Sequence, residues 1–274
     1  MGIFDGVLLC TDLDGTLLKN DKSVSRENLE AIEYFKQNGG KFTFVTGRMP
    51  YYVVDTLRTI KPNVPFGCSN GGGVYDHVNN EYLWTMGISK EVMELVKFVD
   101  QTFTDVGIQV ITFHKTYFSK ENKVMEVFRK LTGLENHVCH YMDVKEDVAK
   151  IMLGADDKQI PEIKKALENH PLAEKFDFVR SERFLFEILP KGICKGTAIK
   201  KLCELLNIDE NKTIAIGDYD NDISMFEAAK VGIAVSNACE AALEKADYVT
   251  VSNEEHAIAK VIYDLEKGAY LNTK

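Results

Sequence analysis

The stretch Val7-Leu8-Leu9-Cys10-Thr11-Asp12-Leu13-Asp14-Gly15-Thr16 decides the fold. Its first half is a short apolar run, and its second half is a polar turn. A run of this length reads as a strand buried on both faces, the habit of parallel sheets. The Asp-Gly-Thr that follows ends the strand sharply, because glycine tolerates the backbone angles of a tight turn. Working outward, residues 25–37 carry Leu29, Ile32 and Phe35 at helical spacing, with Ser25 as N-cap and Gly39-Gly40 as stop. Residues 41–45 form a second apolar run that ends in Thr46-Gly47-Arg48, and residues 51–60 read as a short helix before Pro62. Strand, helix, strand, helix at this spacing signals a parallel sheet.

The same rhythm returns at the far end. Residues 195–206 read as a helix and 213–216 as a strand leading into Gly217-Asp218. Helices at 223–230, 240–245 and 256–267 alternate with strands at 232–235 and 248–251. The middle differs, because none of its strands runs into an Asp-x-Asp-Gly-Thr or Gly-Asp turn. It holds helices at 89–101, 123–131 and 161–169, strands at 106–113 and 147–154, and a hairpin turning at Ser181-Glu182. The fold class expected is α/β: a doubly wound, Rossmann-like parallel-sheet core with an inserted α+β domain. The core would comprise residues 1–82 and 191–274, and the insert residues 83–190.

Composition narrows the function. The 274 residues include 33 Lys+Arg and 42 Asp+Glu, a formal net charge of −9, and 45% are apolar. That apolar share fits a globular chain and not a disordered one. An acidic chain without a basic stretch is a poor partner for nucleic acid or an anionic membrane, so neither is expected. No run approaches the ~18–20 apolar residues of a membrane span, and the start has no basic leader, so a cytoplasmic protein is expected. The six cysteines show no CxxC pair and read as buried reduced thiols. The six histidines show no metal-ligand spacing. No oligomeric state follows from the sequence. If the chain handles an anion, the favourable charge must be local, since the whole-chain field repels one.

Four loops carry chemistry: Asp12-Leu13-Asp14-Gly15-Thr16, Thr46-Gly47-Arg48, Lys195-Gly196, and Gly217-Asp218-Tyr219-Asp220-Asn221-Asp222. In an open parallel sheet, ligands bind at the carboxyl ends of the strands, where these loops fall. Several carboxylates at one edge suit a hard divalent cation, and Mg²⁺ usually takes one or two of them plus phosphate and water. Lys195 supplies a compact positive charge for phosphate, and Thr46 and Gly47 supply a hydroxyl and an approachable backbone N–H. Such a set suits phosphoryl transfer, with Asp12 attacking phosphorus and Asp14 moving the proton. Each loop alone also has a plain reading, as a turn, a helix cap or a solvated lysine. Their conjunction, in order and at the right end of each element, argues for a site. Arg180, Glu182, His114 and Lys115, near strand ends of the insert, read more simply as a solvated face.

These motifs resemble those of the haloacid dehalogenase superfamily of phosphohydrolases, in its Cof-like branch with a large α/β cap. The resemblance covers nearly the whole chain, and Ser69-Asn70-Gly71-Gly72 is similar to a turn of that branch. It implies Asp12 as nucleophile and Mg²⁺ ligand, and Asp14 as acid/base that ligates through its backbone carbonyl. It implies Asp218 as a further ligand, with Asp222 and Asn70 in support. Thr46, Gly47, Lys195 and Asn221 would hold the phosphate. The function expected is a Mg²⁺-dependent phosphomonoester hydrolase acting on a small phosphorylated metabolite, such as a sugar phosphate or phosphorylated cofactor, through an aspartyl-phosphate. A phosphomutase and a non-catalytic phosphometabolite-binding protein are the alternatives.

Overall fold

The structure, a computed structural model, describes residues 2–271. The first strand, β1 (Leu8–Thr11), leads through a turn into helix α1 (Arg26–Gln37), which Ser25 caps by accepting the Asn28 N–H. Strand β2 (Lys41–Phe44) follows, then a 3₁₀ turn over Pro50–Tyr52 and helix α2 (Val54–Ile60). Next comes a small antiparallel sheet of β3 (Phe66–Cys68), β4 (Gly73–Asp76) and β5 (Glu81–Thr85). The expected alternation of long strands and helices does not show this sheet, because its strands are only 3–5 residues long.

The middle of the chain runs α3 (Val92–Thr102), β6 (Gly107–Thr112), β7 (Thr116–Lys120), α4 (Lys123–Thr132), β8 (Val148–Gly154), α5 (Ile160–Glu168), β9 (Phe176–Glu182) and β10 (Leu185–Pro190). The chain then returns through α6 (Lys195–Leu206), β11 (Thr213–Gly217), α7 (Ile223–Ala228), β12 (Val231–Ala234), α8 (Glu240–Lys245), β13 (Tyr248–Val249) and α9 (Ala257–Glu266). Two compact units result: Met1–Thr85 with Cys194–Lys274, and Met86–Ile193. The first unit therefore keeps β5, whose partner β4 holds it there. Among the described residues, no helix is long and apolar enough to cross a membrane.

In the first unit the main sheet has the order β13-β12-β11-β1-β2, every pair parallel. Successive side chains of β1 point to opposite faces. Leu9, with Phe42, Phe44, Ile214 and Ile216, packs against α1 and α9; Leu8 and Cys10, with Ala215 and Ala234, pack against α6, α7 and α8. Helices on both faces thus explain why β1 is apolar without alternation. The chain leaves β1 toward β2 and later returns on its other side to β11. That reversal opens a crevice at the carboxyl ends of β1, β2 and β11.

The second unit is an antiparallel sheet of order β7-β6-β8-β10-β9. Ile108, Val110, Ile151, Leu153, Phe186 and Ile188 pack on α3 and α5. The opposite strand positions include Gln109, Lys150 and Glu187, all buried. Lys150 Nζ donates to Glu187 Oε2 at 2.7 Å. The hairpin turns at Arg183-Phe184, and not at Ser181-Glu182, because Glu182 still pairs with Leu185. Arg180 binds Asp157, and Lys115 binds Glu146 at 3.0 Å, so both belong to local ion pairs. The cysteines are all free, but only Cys10, Cys68 and Cys203 are buried; Cys139 and Cys239 are half-buried and Cys194 is exposed.

Replacing Lys150 by Met removes the ammonium with which the buried Glu187 carboxylate pairs. The expected loss is about 3–5 kcal/mol in urea unfolding, and Lys150→Met combined with Glu187→Leu should recover most of it.

Candidate active site

The site grows from the end of β1. The Asp12 N–H donates to Ile216 O at 2.8 Å, so the ladder with β11 continues one residue past the strand and fixes Asp12 at the sheet edge. Gly15, at φ +83°, then reverses the chain. A Cβ there would lie 2.4 Å from Asp218 Oδ2, so this glycine also permits the approach of the fourth motif to the first. Thr16 Oγ1 donates to Asp218 Oδ1 at 2.6 Å, and Asn237 Nδ2 to Gly15 O at 2.9 Å.

The other loops arrive by similar close contacts. Beyond β2, the Val45 N–H donates to Thr11 O and the Thr46 N–H to Gly67 O. A Cβ on Gly47 would lie 2.9 Å from Asn70 Oδ1, and the Asn70 N–H donates to Thr46 O. Asn221 Nδ2 donates to the same Asn70 oxygen at 3.2 Å, so Asn70 joins the second and fourth motifs. Lys195 opens α6, and a Cβ on Gly196 would lie 2.2 Å from Ser224 O. Helices α6 and α7 therefore touch backbone to backbone, which sinks the Lys195 side chain to 2% exposure.

There its ammonium donates to Asp12 Oδ1 at 2.6 Å and to Asp222 Oδ1 at 2.5 Å. The second Asp222 oxygen accepts the backbone N–H groups of Asp218 and Tyr219 at 2.9 and 3.0 Å. Asp12, Asp218 and Asp222 offer ligand atoms all within 4.8 Å of one another. The Asp14 side chain is not in this group. Arg48 Nε and Nη2 donate to its two oxygens at 2.9 and 2.6 Å, and Lys22 Nζ adds a third bond at 2.8 Å. Thr16, Lys22 and Arg48 were not singled out from the sequence. Thr16 and Arg48 stand inside the quoted motifs, but Lys22 carried no signal.

The electrostatics follow from this arrangement. Burial above all, with Asp222, Asp218 and Asp14 nearby, pushes the Asp12 carboxyl well above its usual range against the pull of Lys195. Burial and Asp222 likewise push Asp218 up to about 6. Burial would lower Lys195, but Asp12 and Asp222 outweigh it and hold its proton more tightly than usual. Burial would raise Asp14, yet Arg48 and Lys22 outweigh it and hold that carboxyl below the usual range. Three carboxylates against one ammonium leave two formal negative charges in the cluster, which one divalent cation balances. The donors are all oxygen, with no histidine or cysteine, so a hard ion such as Mg²⁺ fits them.

The chain matches the family described as haloacid dehalogenase-like hydrolase over residues 9–262, and it belongs to that family. The 5-amino-6-(5-phospho-D-ribitylamino)uracil phosphatase YwtE of Bacillus subtilis is 28% identical to it, over 96% of this chain and 99% of its own. The phosphatase of the same description, YbjI of Escherichia coli, is 25% identical over 93% of this chain and 94% of its own. A haloacid dehalogenase-like hydrolase from Bacteroides thetaiotaomicron has a crystal structure that superposes with a TM-score of 0.83 at 25% identity, over 94% of this chain and 99% of that one. The α/β fold expected from the sequence is thus the family's fold, and the chain is a hydrolase of that family.

Burial pushes the Asp218 carboxyl up to about 6 in the fold, against ~3.9 in an unfolded chain. A raised carboxyl binds more protons folded than unfolded, so its contribution is present below about pH 4 and is lost as pH rises through about 6. In divalent-free buffer, Asp218→Asn should therefore lose less stability than the parent between pH 5 and pH 7.5, as read by urea unfolding.

Proposed function

We propose that the chain is a phosphomonoester hydrolase that forms an aspartyl-phosphate at Asp12 and acts on a small phosphorylated metabolite. The observation that carries this reading is the buried Lys195 ammonium bridging Asp12 and Asp222, with Asp218 alongside. It supports a carboxylate nucleophile, whose charge burial opposes and Lys195 favours, at a place where a phosphate can also be neutralised. The names of YwtE and YbjI, both phosphatases of a phosphorylated ribityl compound, support the class of substrate. All four motifs fall in the first unit, residues 1–85 and 194–274, which supports that unit as the catalytic core and residues 86–193 as a cap that selects the substrate.

The steps follow from the residues. An Asp12 oxygen attacks phosphorus as the bond to the leaving oxygen breaks, and protonated Asp14 gives that oxygen its proton. Asp14, now a carboxylate, takes a proton from the water that attacks phosphorus and frees Asp12. Lys195 holds Asp12 in line and partners the phosphate together with Thr46, Gly47 and Asn221. Asp12, Asp218 and the Asp14 backbone carbonyl would hold Mg²⁺, supported by Asp222, and the ion would supply charge neutralisation of the phosphate. Arg48 and Lys22 keep Asp14 ionised in the free protein. The dianion's arrival adds negative charge beside it and favours uptake of the proton it then donates.

A panel of phosphorylated metabolites with Mg²⁺ tests this by release of inorganic phosphate. Asp12→Asn should lower release by at least about 10³-fold, and equal release by variant and parent would remove Asp12 from the mechanism. An isomerised sugar monophosphate without free phosphate would replace the hydrolase by a mutase. Because the whole chain is acidic, chelating the divalent ion should abolish phosphate binding in titration calorimetry and not merely slow turnover. Tight binding to the chelated protein would show this account of the charge to be wrong.

A further inference from the structure

Asp14 stands outside the carboxylate cluster although only one residue separates it from Asp12. The Arg48 fork meets both of its oxygens, which fixes the plane of the carboxyl as well as its position. Arg48 is itself fixed through its backbone. Its N–H donates to Thr46 Oγ1 at 3.2 Å, and its carbonyl accepts the Ser69 N–H at 3.1 Å. The grip is thus attached to the loop that carries Thr46. Lys22 also reaches Asp14 Oδ1, from a turn closed by Lys19 and Ser23. Lys22 is a single point charge on a flexible stem, whereas a guanidinium presents a rigid pair of donors. Charge beside Asp14 thus has two sources, but orientation has one.

We propose that Arg48 is a positioning residue for the proton transfer: its two-pronged grip aims the Asp14 carboxyl at the leaving oxygen and keeps it from turning into the Asp12–Asp218–Asp222 cluster. This rests on the phosphatase reading above. In the step concerned, the bond from Asp12 oxygen to phosphorus forms and the bond from phosphorus to the leaving oxygen breaks, its electron pair staying on that oxygen. The Asp14 proton, taken from solvent beforehand, moves to it. An alkoxide leaving group needs that proton, whereas p-nitrophenolate departs without it. The quantity to compare is kcat/KM, which stops at release of the alcohol and is blind to the later attack by water.

The experiment measures kcat/KM for an alkyl phosphate accepted by the parent enzyme and for p-nitrophenyl phosphate, with Mg²⁺, in the parent and in Arg48→Ala. General acid help is worth ~10²–10⁴-fold, so the alkyl ester should lose roughly 10²-fold or more while the aryl ester stays within about threefold. Arg48→Lys keeps the charge but not the fork, and it should lose more on the alkyl than on the aryl ester. That second variant decides the matter if the alanine form does not fold. Equal losses on both esters, or no loss on either, would overturn the positioning role. If the parent is active and Asp12→Asn is dead, that result leaves the phosphatase reading intact. A parent inactive on both esters overturns the two together.

Discussion

Everything at the sheet edge depends on one ammonium. Lys195 is as buried as a core leucine, and two carboxylates share it. A buried charge is tolerated only when it is paired and its hydrogen bonds are made, so the surroundings must bring Asp12 and Asp222 to it within hydrogen-bond reach. Several glycines serve that end. Gly196 lets α6 and α7 meet, Gly217 makes room for the Asp222 side chain, and Gly71, at φ +96°, lets its turn press on the Cys194 carbonyl. A Cβ at any of the three would fall within 2.4 Å of a neighbouring atom. The motif glycines are therefore packing devices as much as turn-formers.

The two flanking acids of the first motif are kept electrically separate. Asp12 faces inward, among carboxylates and one lysine, and burial makes its charge costly. Asp14 faces Arg48 and Lys22, two cations that make its charge easy. Positions two apart in an extended chain would share one side, and the end of the strand at Thr11 is what frees the two to part. One dipeptide spacing thus yields two carboxylates in opposite environments, the arrangement by which paired carboxylates divide their roles elsewhere.

Much of this was legible in the sequence. The apolar run before Asp12 and the strand–helix rhythm gave the parallel sheet, because burial on both faces leaves a plain compositional mark. The four loops were visible because each ends a strand or starts a helix. Lys22 was not legible. It is a lysine in a polar turn, and only the fold shows that it reaches Asp14. The fork from Arg48 was equally hidden, since nothing in Thr46-Gly47-Arg48 says which way the guanidinium points. The β3–β4–β5 sheet escaped because strands this short leave too few residues to show a period. The hairpin turn was misplaced by two residues because Arg183 and Phe184 are not turn-forming types, whereas Ser181 is.

The seam between the two units falls at a telling place. The chain re-enters the first unit at Cys194, and the next residue is Lys195. The return junction therefore lies one residue from the buried ammonium, whereas β5 separates the outgoing junction after Thr85 from the nearest motif, so a change of chain length at the return end acts directly on the placement of Lys195.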